Sequence, residues 1–286
     1  MKILIVGSNG QLGNDFKKIF SDLNINYLAL DKDSLDITDY NALEQFFIDN
    51  NDIDIIINCA AYNNVDMAEK EKNKCIMINE IAPYNLAKFS KKINAIFVTY
   101  STDFVFDGDS ITPYTEIDKP NPLSTYGISK YEGEKKVINT HDKFFIIRTS
   151  WVFGIANNNF VKQIIEWSKT KTELNVVDDQ VSSPTYSKDL ALLSWELIKT
   201  KKYGLYHISS NGIASKYDQS KYVLDRIGWK GTLVKAETSD FNLPATRPKY
   251  SKLDSSKVES ILGEKIPCWK DAIDRFLVEM KENKEL

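Results

Sequence analysis

An open, doubly wound parallel sheet with helices on both faces is the fold class this sequence predicts, joined to a smaller mixed α/β lobe. Three observations predict it. Short apolar runs alternate with helix-length amphipathic segments through the first half. Several runs are nearly continuous in apolar residues, as in strands covered on both faces. A glycine-spaced turn, "GSNGQLG", stands between the first run and the first helix.

The elements follow in order. "KILIV" (2–6), "YLAL" (27–30), "IDIII" (53–57) and "AIFVTY" (95–100) read as strands. Amphipathic segments near 11–20, 40–47 and 82–92 separate them. Strand, helix and strand in series make βαβ units with right-handed crossovers. "STYGISKYEGEKKVI" (124–138) reads as a helix with Ser124 or Thr125 as its cap. "KFFIIR" (143–148) is a further strand, 158–169 and 187–199 are helical, and 204–209 is a short strand. "CWKDAIDRFLVEM" is a last helix. The stretches 175–185 and 236–251, which hold Pro184, Pro244 and Pro248, read as loops. The expected division is 1–150 for the regular unit and 151–286 mainly for the smaller lobe, with about 187–210 returning to the first.

At 286 residues the chain is long enough for a large core. Apolar residues make up 42%, charged residues 27%, and the formal charge is −3. That balance gives no electrostatic reason to expect nucleic acid or an anionic membrane as a partner. The opening apolar run is too short for a signal peptide, and no stretch is long enough to span a bilayer, so the chain is expected to be cytoplasmic. Cys59, Cys75 and Cys268, with His141 and His207, are too scattered for a disulfide framework or a metal site, and no metal is expected. Nothing in the sequence decides between a monomer and a homodimer.

Gly7, Gly10 and Gly13 directly follow the first strand and open a helix. Gly7 suits a tight turn, Gly10 a close approach of backbone to a pyrophosphate, and Gly13 close packing of helix on sheet. The helix N-terminus offers free N–H groups to that anion. The spacing is G-x-x-G-x-x-G, and glycines alone also serve plain packing; the strand–glycine–helix order makes a Rossmann-like dinucleotide turn the stronger reading. Asp31 ends the second strand, where a carboxylate can accept hydrogen bonds from an adenine ribose. Lys32 beside it suits a ribose phosphate instead, so NADH and NADPH both stay open. Asp36 is a second candidate for the adenosine end. "NCAAY" (58–62) puts small residues at the end of the third strand, where a cofactor can cross the sheet edge.

Tyr126 and Lys130 are four apart on one helix and share a face. Thr102 lies just past the fourth strand, on the edge where such sheets bind ligands. Together they suit reduction of a carbonyl. Hydride arrives at carbon, and the oxygen needs a proton. A free tyrosine, with a pKa of ~10, is a poor partner near neutrality, and a nearby ammonium favours its phenolate. Thr102 can orient the carbonyl oxygen. Tyr-x-x-x-Lys also arises by chance on helices; the glycine turn and Thr102 favour catalysis.

With these residues placed, the chain resembles the extended short-chain dehydrogenase/reductase superfamily, and within it the dTDP-4-dehydrorhamnose reductases. The blocks are "GSNGQLG", "LDIT", "NCAAYNNVDMAE", "STDFVFDG", "YGISKYEGE", "RTSWVFG", "NNFV", "DQVSSPTY" and "RPKYSKLD", over nearly the whole length. The resemblance implies NAD(P)H-dependent reduction of the C4 ketone of a dTDP-sugar, dTDP-4-dehydro-6-deoxy-L-mannose. It implies Tyr126 as proton donor, Lys130 as its helper and a cofactor ligand, and Thr102 and Asp103 against the sugar. Gly10, Gln11 and Leu12 match the pyrophosphate turn, Asp36 and Ile37 the adenosine contact, and Ala60, Ala61 and Tyr62 the cofactor's path. Trp151 matches a substrate contact. Arg247 suits the substrate diphosphate or closure of the second lobe, and Gln180 and Thr185 the same pocket. The chain departs from the family at Phe104, commonly Tyr, at Asn63 and Asn64, and at Ser182, commonly Gly. A 4,6-dehydratase would want glutamate after Thr102 and Asp103, where this chain has Phe104. An epimerase could use the same three catalytic groups, and a non-catalytic binding protein the same fold.

Overall fold

The structure is a computed structural model that describes all 286 residues. Six parallel strands form its central sheet: β1 (Ile3–Val6), β2 (Tyr27–Leu30), β3 (Ile55–Asn58), β4 (Ile96–Thr102), β5 (Phe144–Thr149) and β6 (Gly204–His207). Their order is β6-β5-β4-β3-β1-β2. The chain leaves β1 toward one edge to make β2, then returns past β1 to make β3, so the order reverses between β1 and β3. Ligands bind at such a reversal, outside the carboxyl ends of the strands.

Alternation along each strand builds two cores. Ile3, Ile5, Ile55, Ile57, Phe145 and Ile147 face the helices Gln11–Asp22 and Ser187–Lys199, with Phe16, Phe20, Leu190 and Trp195 filling that side. Leu4, Val6, Ile56, Phe97 and Ile146 face the opposite layer, with Leu43, Phe47, Leu86 and Phe89 from the helices Tyr40–Asp49 and Ala82–Lys92. Burial on both faces is why β1 and β3 read as unbroken apolar runs. A third core, around Phe153, Ile164, Val176, Tyr186, Trp269 and Phe276, lies in the later part of the chain.

The segment 204–207 pairs in parallel with β5, Gly204 opposite Phe145 and His207 opposite Arg148. The helix Ser187–Lys199 packs on the sheet. Ser124, not Thr125, caps the helix Thr125–Ile138, its hydroxyl accepting from Gly127 N at 3.2 Å.

The stretch 175–185, expected as a loop, carries short strands, while 236–251 is irregular beyond Ala236 apart from a 3-10 turn at Thr238–Asp240. Glu173–Val177 pairs in parallel with Thr232–Ala236, and the two-residue strands Val181–Ser182 and Thr185–Tyr186 pair with Ala214–Ser215 and Val152–Phe153. Two residues are too few to show a period, which is why the sequence pattern weakens there. Helices Lys216–Ile227 and Ser256–Leu262, and the run Lys72–Ile81 with its π-helical end, have no counterpart among the sequence-predicted elements.

Candidate active site

A cleft of about 700 Å³ opens along the carboxyl ends of the strands. Gly7, Gly10, Gln11 and Leu12 line it from the first turn; Asp31, Asp36 and Ile37 from beyond β2; Ala60 and Ala61 from beyond β3; Tyr126 and Lys130 from the helix that follows β4. From β2 to β4 is three strand spacings, about 14 Å. The adenosine-side carboxylates and the Tyr–Lys pair therefore stand well apart on one continuous cleft.

The turn is built for close approach. Gly7 has φ +71°, and a Cβ there would lie 2.5 Å from Ala60 N. Gly13 does not line the cleft: its Cβ would lie 2.5 Å from Gly7 O, so its bare Cα lets the helix sit on the turn. The helix Gln11–Asp22 has Gly10 at its N-cap and no side chain capping it. Its first N–H groups face the cleft with the positive end of the helix dipole, a fit for a pyrophosphate. Four buried polar atoms on lining residues, Gln11 Oε1, Tyr100 Oη, Ser101 Oγ and Thr149 Oγ1, have no hydrogen-bond partner. Buried polar groups are normally paired. The uncapped helix, the glycine cradle and these unpaired atoms all fit a polar, extended cofactor.

At the adenosine end, Asp31 Oδ1 accepts from Asp33 N and Ser34 N at 3.1 and 3.2 Å, and Asn9 donates to its other oxygen. The backbone bond from Ser34 leads in holding its carboxyl below the usual range. Asp36 accepts from the Thr38 hydroxyl at 2.6 Å and from Thr38 N at 2.9 Å, and the hydroxyl contact lowers its pKa. Both Asp31 and Lys32 reach the cleft.

Beyond β3, Asn58 donates to Thr99 Oγ1 at 3.2 Å and accepts from Ala60 N at 3.1 Å, fixing the chain where Ala60 and Ala61 meet the cleft. Tyr62 is turned aside. Its hydroxyl donates to Glu71 at 2.9 Å, and Asn79 clamps its backbone, accepting from Tyr62 N and donating to Tyr62 O. Asn79 also donates to Ser129 Oγ at 3.1 Å, tying this loop to the Tyr126 helix.

Lys130 Nζ donates to Tyr100 O at 2.8 Å. Burial lowers its pKa to about 8, against the pull of Glu134 and Cys75. The Tyr126 phenol is raised above its ordinary range by burial; the Thr102 hydroxyl draws it part of the way back, while Asp103 and Cys75 push it higher. Lys130 is not among the groups that move it, so the ammonium-driven lowering expected from the spacing is absent from this arrangement. Phe104 packs edge-on against the Tyr126 ring, centroids 5.7 Å apart.

The far side of Tyr126 is polar. Thr102 Oγ1 donates to Asp103 Oδ1 at 3.0 Å and accepts from Phe104 N. Asp103 is buried and takes hydrogen bonds from Ser251 at 2.5 Å and Ser182 at 3.2 Å. Burial raises its pKa to about 6, against these three hydroxyls. Ser182, where glycine was expected, is thus a partner of Asp103. Trp151 has φ +45°, costly for a bulky residue, and such strain collects at functional sites. Arg247 is engaged by Asp66, with bonds of 2.6 and 3.1 Å. Gln180 donates to Thr238 and Thr185 to Ser183 O, so both brace the later part of the chain.

Several lining residues escaped the sequence reading. Ser101 and Thr149 end β4 and β5, and the strand-end rule that found Thr102 could have found them. Asn157 and Asn158 come from the later chain, where Asn157 donates to Asn9 O at 2.8 Å. No local pattern announces that contact.

Fold and cleft together define an NAD(P)-dependent oxidoreductase of the extended short-chain dehydrogenase/reductase type. The family described as the RmlD substrate binding domain matches residues 1–282, and the chain belongs to it. It is 37% identical over 286 residues to the dTDP-4-dehydrorhamnose reductase of Aggregatibacter actinomycetemcomitans, covering 95% of this chain and 97% of that one. It is similar to the crystal structure of a dTDP-4-dehydrorhamnose reductase from Clostridium acetobutylicum ATCC 824, with TM-score 0.95, 38% identity and coverage of 98% and 100%. It is likewise similar to that of the Bacillus anthracis str. Ames reductase in complex with NADP, with TM-score 0.93, 38% identity and coverage of 97% and 99%. No helix is long and apolar enough to cross a membrane.

Proposed function

We propose that this protein reduces the C4 ketone of dTDP-4-dehydro-6-deoxy-L-mannose to give dTDP-L-rhamnose, with NADPH or NADH as reductant. The observation that carries the proposal is the placement of Tyr126 and Lys130 on the wall of the same cleft as the uncapped glycine turn. Relatives of 37–38% identity that bear the name dTDP-4-dehydrorhamnose reductase support the sugar.

Bound in the cleft, the reduced nicotinamide supplies the hydride that goes to the ketone carbon. Tyr126 gives its phenolic proton to the oxygen as charge grows there. Burial raises the phenol's pKa, so it holds its proton at neutral pH and releases it only as negative charge develops on the ketone oxygen. Thr102, whose hydroxyl donates to Asp103 in the free protein, would turn that hydroxyl toward the same oxygen when the sugar binds. Lys130, fixed on the Tyr100 carbonyl, keeps an ammonium beside the cofactor ribose. Asp103 and Trp151 hold the sugar, one through hydrogen bonds and the other with a flat indole face.

The test is to supply the keto sugar with NADPH or with NADH, then follow absorbance of the reduced nicotinamide and identify the product. Stoichiometric oxidation with formation of dTDP-L-rhamnose is expected. Isomerised sugar without net oxidation would mark an epimerase. Cofactor binding without any turnover would mark a binding protein.

A further inference from the structure

Lys216 opens the helix Lys216–Ile227, and no role in the reaction described above uses it. One turn on, Gln219, Ser220 and Val223 are buried, so Lys216 projects from the inward side of its helix. Its ammonium stands 3.5 Å from the centroid of the Trp151 ring and 4.5 Å from that of Phe160. It makes no ion pair and no hydrogen bond. Asp103 and Arg247 are both near enough to act on its charge, the first favouring it and the second opposing it.

The contrast with Arg247 decides the matter. That guanidinium is already matched by Asp66, in a bidentate pair of 2.6 and 3.1 Å. Asp103 is committed to three hydroxyls. Lys216 is therefore a half-buried cation held on two aromatic faces, with no carboxylate in ion-pair or hydrogen-bond contact. Ring faces attract a cation but leave its charge unneutralised. A diphosphate, the anionic part of a nucleotide sugar, would supply the missing partner.

We propose that Lys216 is the residue that takes the substrate's diphosphate, an inference that rests on the nucleotide-sugar substrate named above. Burial leads in lowering its pKa to about 7, and a phosphate at this position would restore the charge.

Calorimetric titration of the full chain with dTDP, with thymidine and with NADPH tests it. Wild type is expected to bind dTDP more tightly than thymidine. Lys216→Met keeps an unbranched stem on Trp151 and removes the charge. It should weaken dTDP binding by about 10- to 100-fold, the range of a charge-assisted contact, and leave NADPH binding in place as proof of folding. Lys216→Arg should retain most of the dTDP affinity. Unchanged dTDP affinity in Lys216→Met, with wild type still preferring dTDP, overturns the assignment of Lys216 alone. Wild type that binds NADPH but shows no preference for dTDP overturns the nucleotide-sugar substrate and this contact together.

Discussion

Lys130 Nζ donates to the main-chain carbonyl of Tyr100 at 2.8 Å and leaves the phenol of Tyr126, one helical turn before it, to its other neighbours. This separates two jobs that the Tyr-x-x-x-Lys spacing joins. Spacing alone suggests an ammonium that acidifies a phenol. In the fold, the ammonium is anchored to the end of β4, and burial governs the phenol instead. Lys130 Nζ is thereby held at the carboxyl end of β4, on the wall of the cleft that Tyr126 also lines.

Replacing Tyr126 by phenylalanine removes the proton and little else. Its ring packs on Phe104, a contact the variant keeps. Cofactor binding, read by quenching of protein fluorescence, should persist. Turnover of the keto sugar should fall by about 10²- to 10⁴-fold, the usual contribution of a positioned acid. Near-normal turnover would remove Tyr126 from the mechanism.

Local rules carried the sequence reading a long way in the first half. β1 and β3 are buried on both faces, so their apolar runs are unambiguous, and the glycine turn, Asp31, Asp36, Ala60 and Ala61 all follow strand ends. What stayed hidden depends on contacts between distant segments. Arg247 meets Asp66 across 181 residues, and Ser251 meets Asp103 across 148. Lys216 becomes notable only because Trp151 and Phe160 fold over it. Two-residue strands such as Val181–Ser182 have no period to detect, yet that strand delivers a hydroxyl to Asp103.

Glu134 should be the costliest polar side chain to lose near the site. It lies one turn after Lys130 and forms a bidentate pair with Arg148 of β5, at 2.6 and 2.9 Å, with each side chain only 3% exposed. The pair pins the Tyr126 helix to the sheet. Glu134→Ala strands a guanidinium in the interior, which should cost about 3–5 kcal/mol in urea denaturation. Glu134 also supports the charge on Lys130, so cofactor affinity should drop in whatever fraction stays folded. A loss under about 1 kcal/mol, typical of an exposed pair, would contradict this account.

Asp103 gives the stability curve a distinct pH signature. Its carboxyl titrates at about 6 in the fold against 3.8 as the ordinary value. Between about pH 4 and pH 6 the folded chain therefore binds more protons than the unfolded one. Its contribution to stability falls as pH rises through that window. Asp103→Asn abolishes the effect. The stability of wild type minus that of the variant should decline between pH 4 and pH 6 by on the order of 3 kcal/mol and then level off. Parallel curves across the window would show that this carboxyl is not perturbed.

Arg247 and Asp66 should behave as a clasp between the later chain and the short helix Val65–Ala68 that follows β3. Asp66 also accepts from Ala245 N at 3.2 Å, so one carboxylate holds both the backbone and the side chain of the "PATRP" segment. Arg247 is 16% exposed and Asp66 31%, which leaves the pair partly shielded from solvent. Its geometry is bidentate, the form that most strengthens an arginine–carboxylate contact. Arg247→Met and Asp66→Asn should each lower stability by about 1–2 kcal/mol, below the cost of a fully buried pair. The double variant should lose less than the sum, because the second change finds its partner already gone. A double-mutant cycle in urea measures the coupling directly. Strict additivity would mean that the two residues touch without holding the segments together.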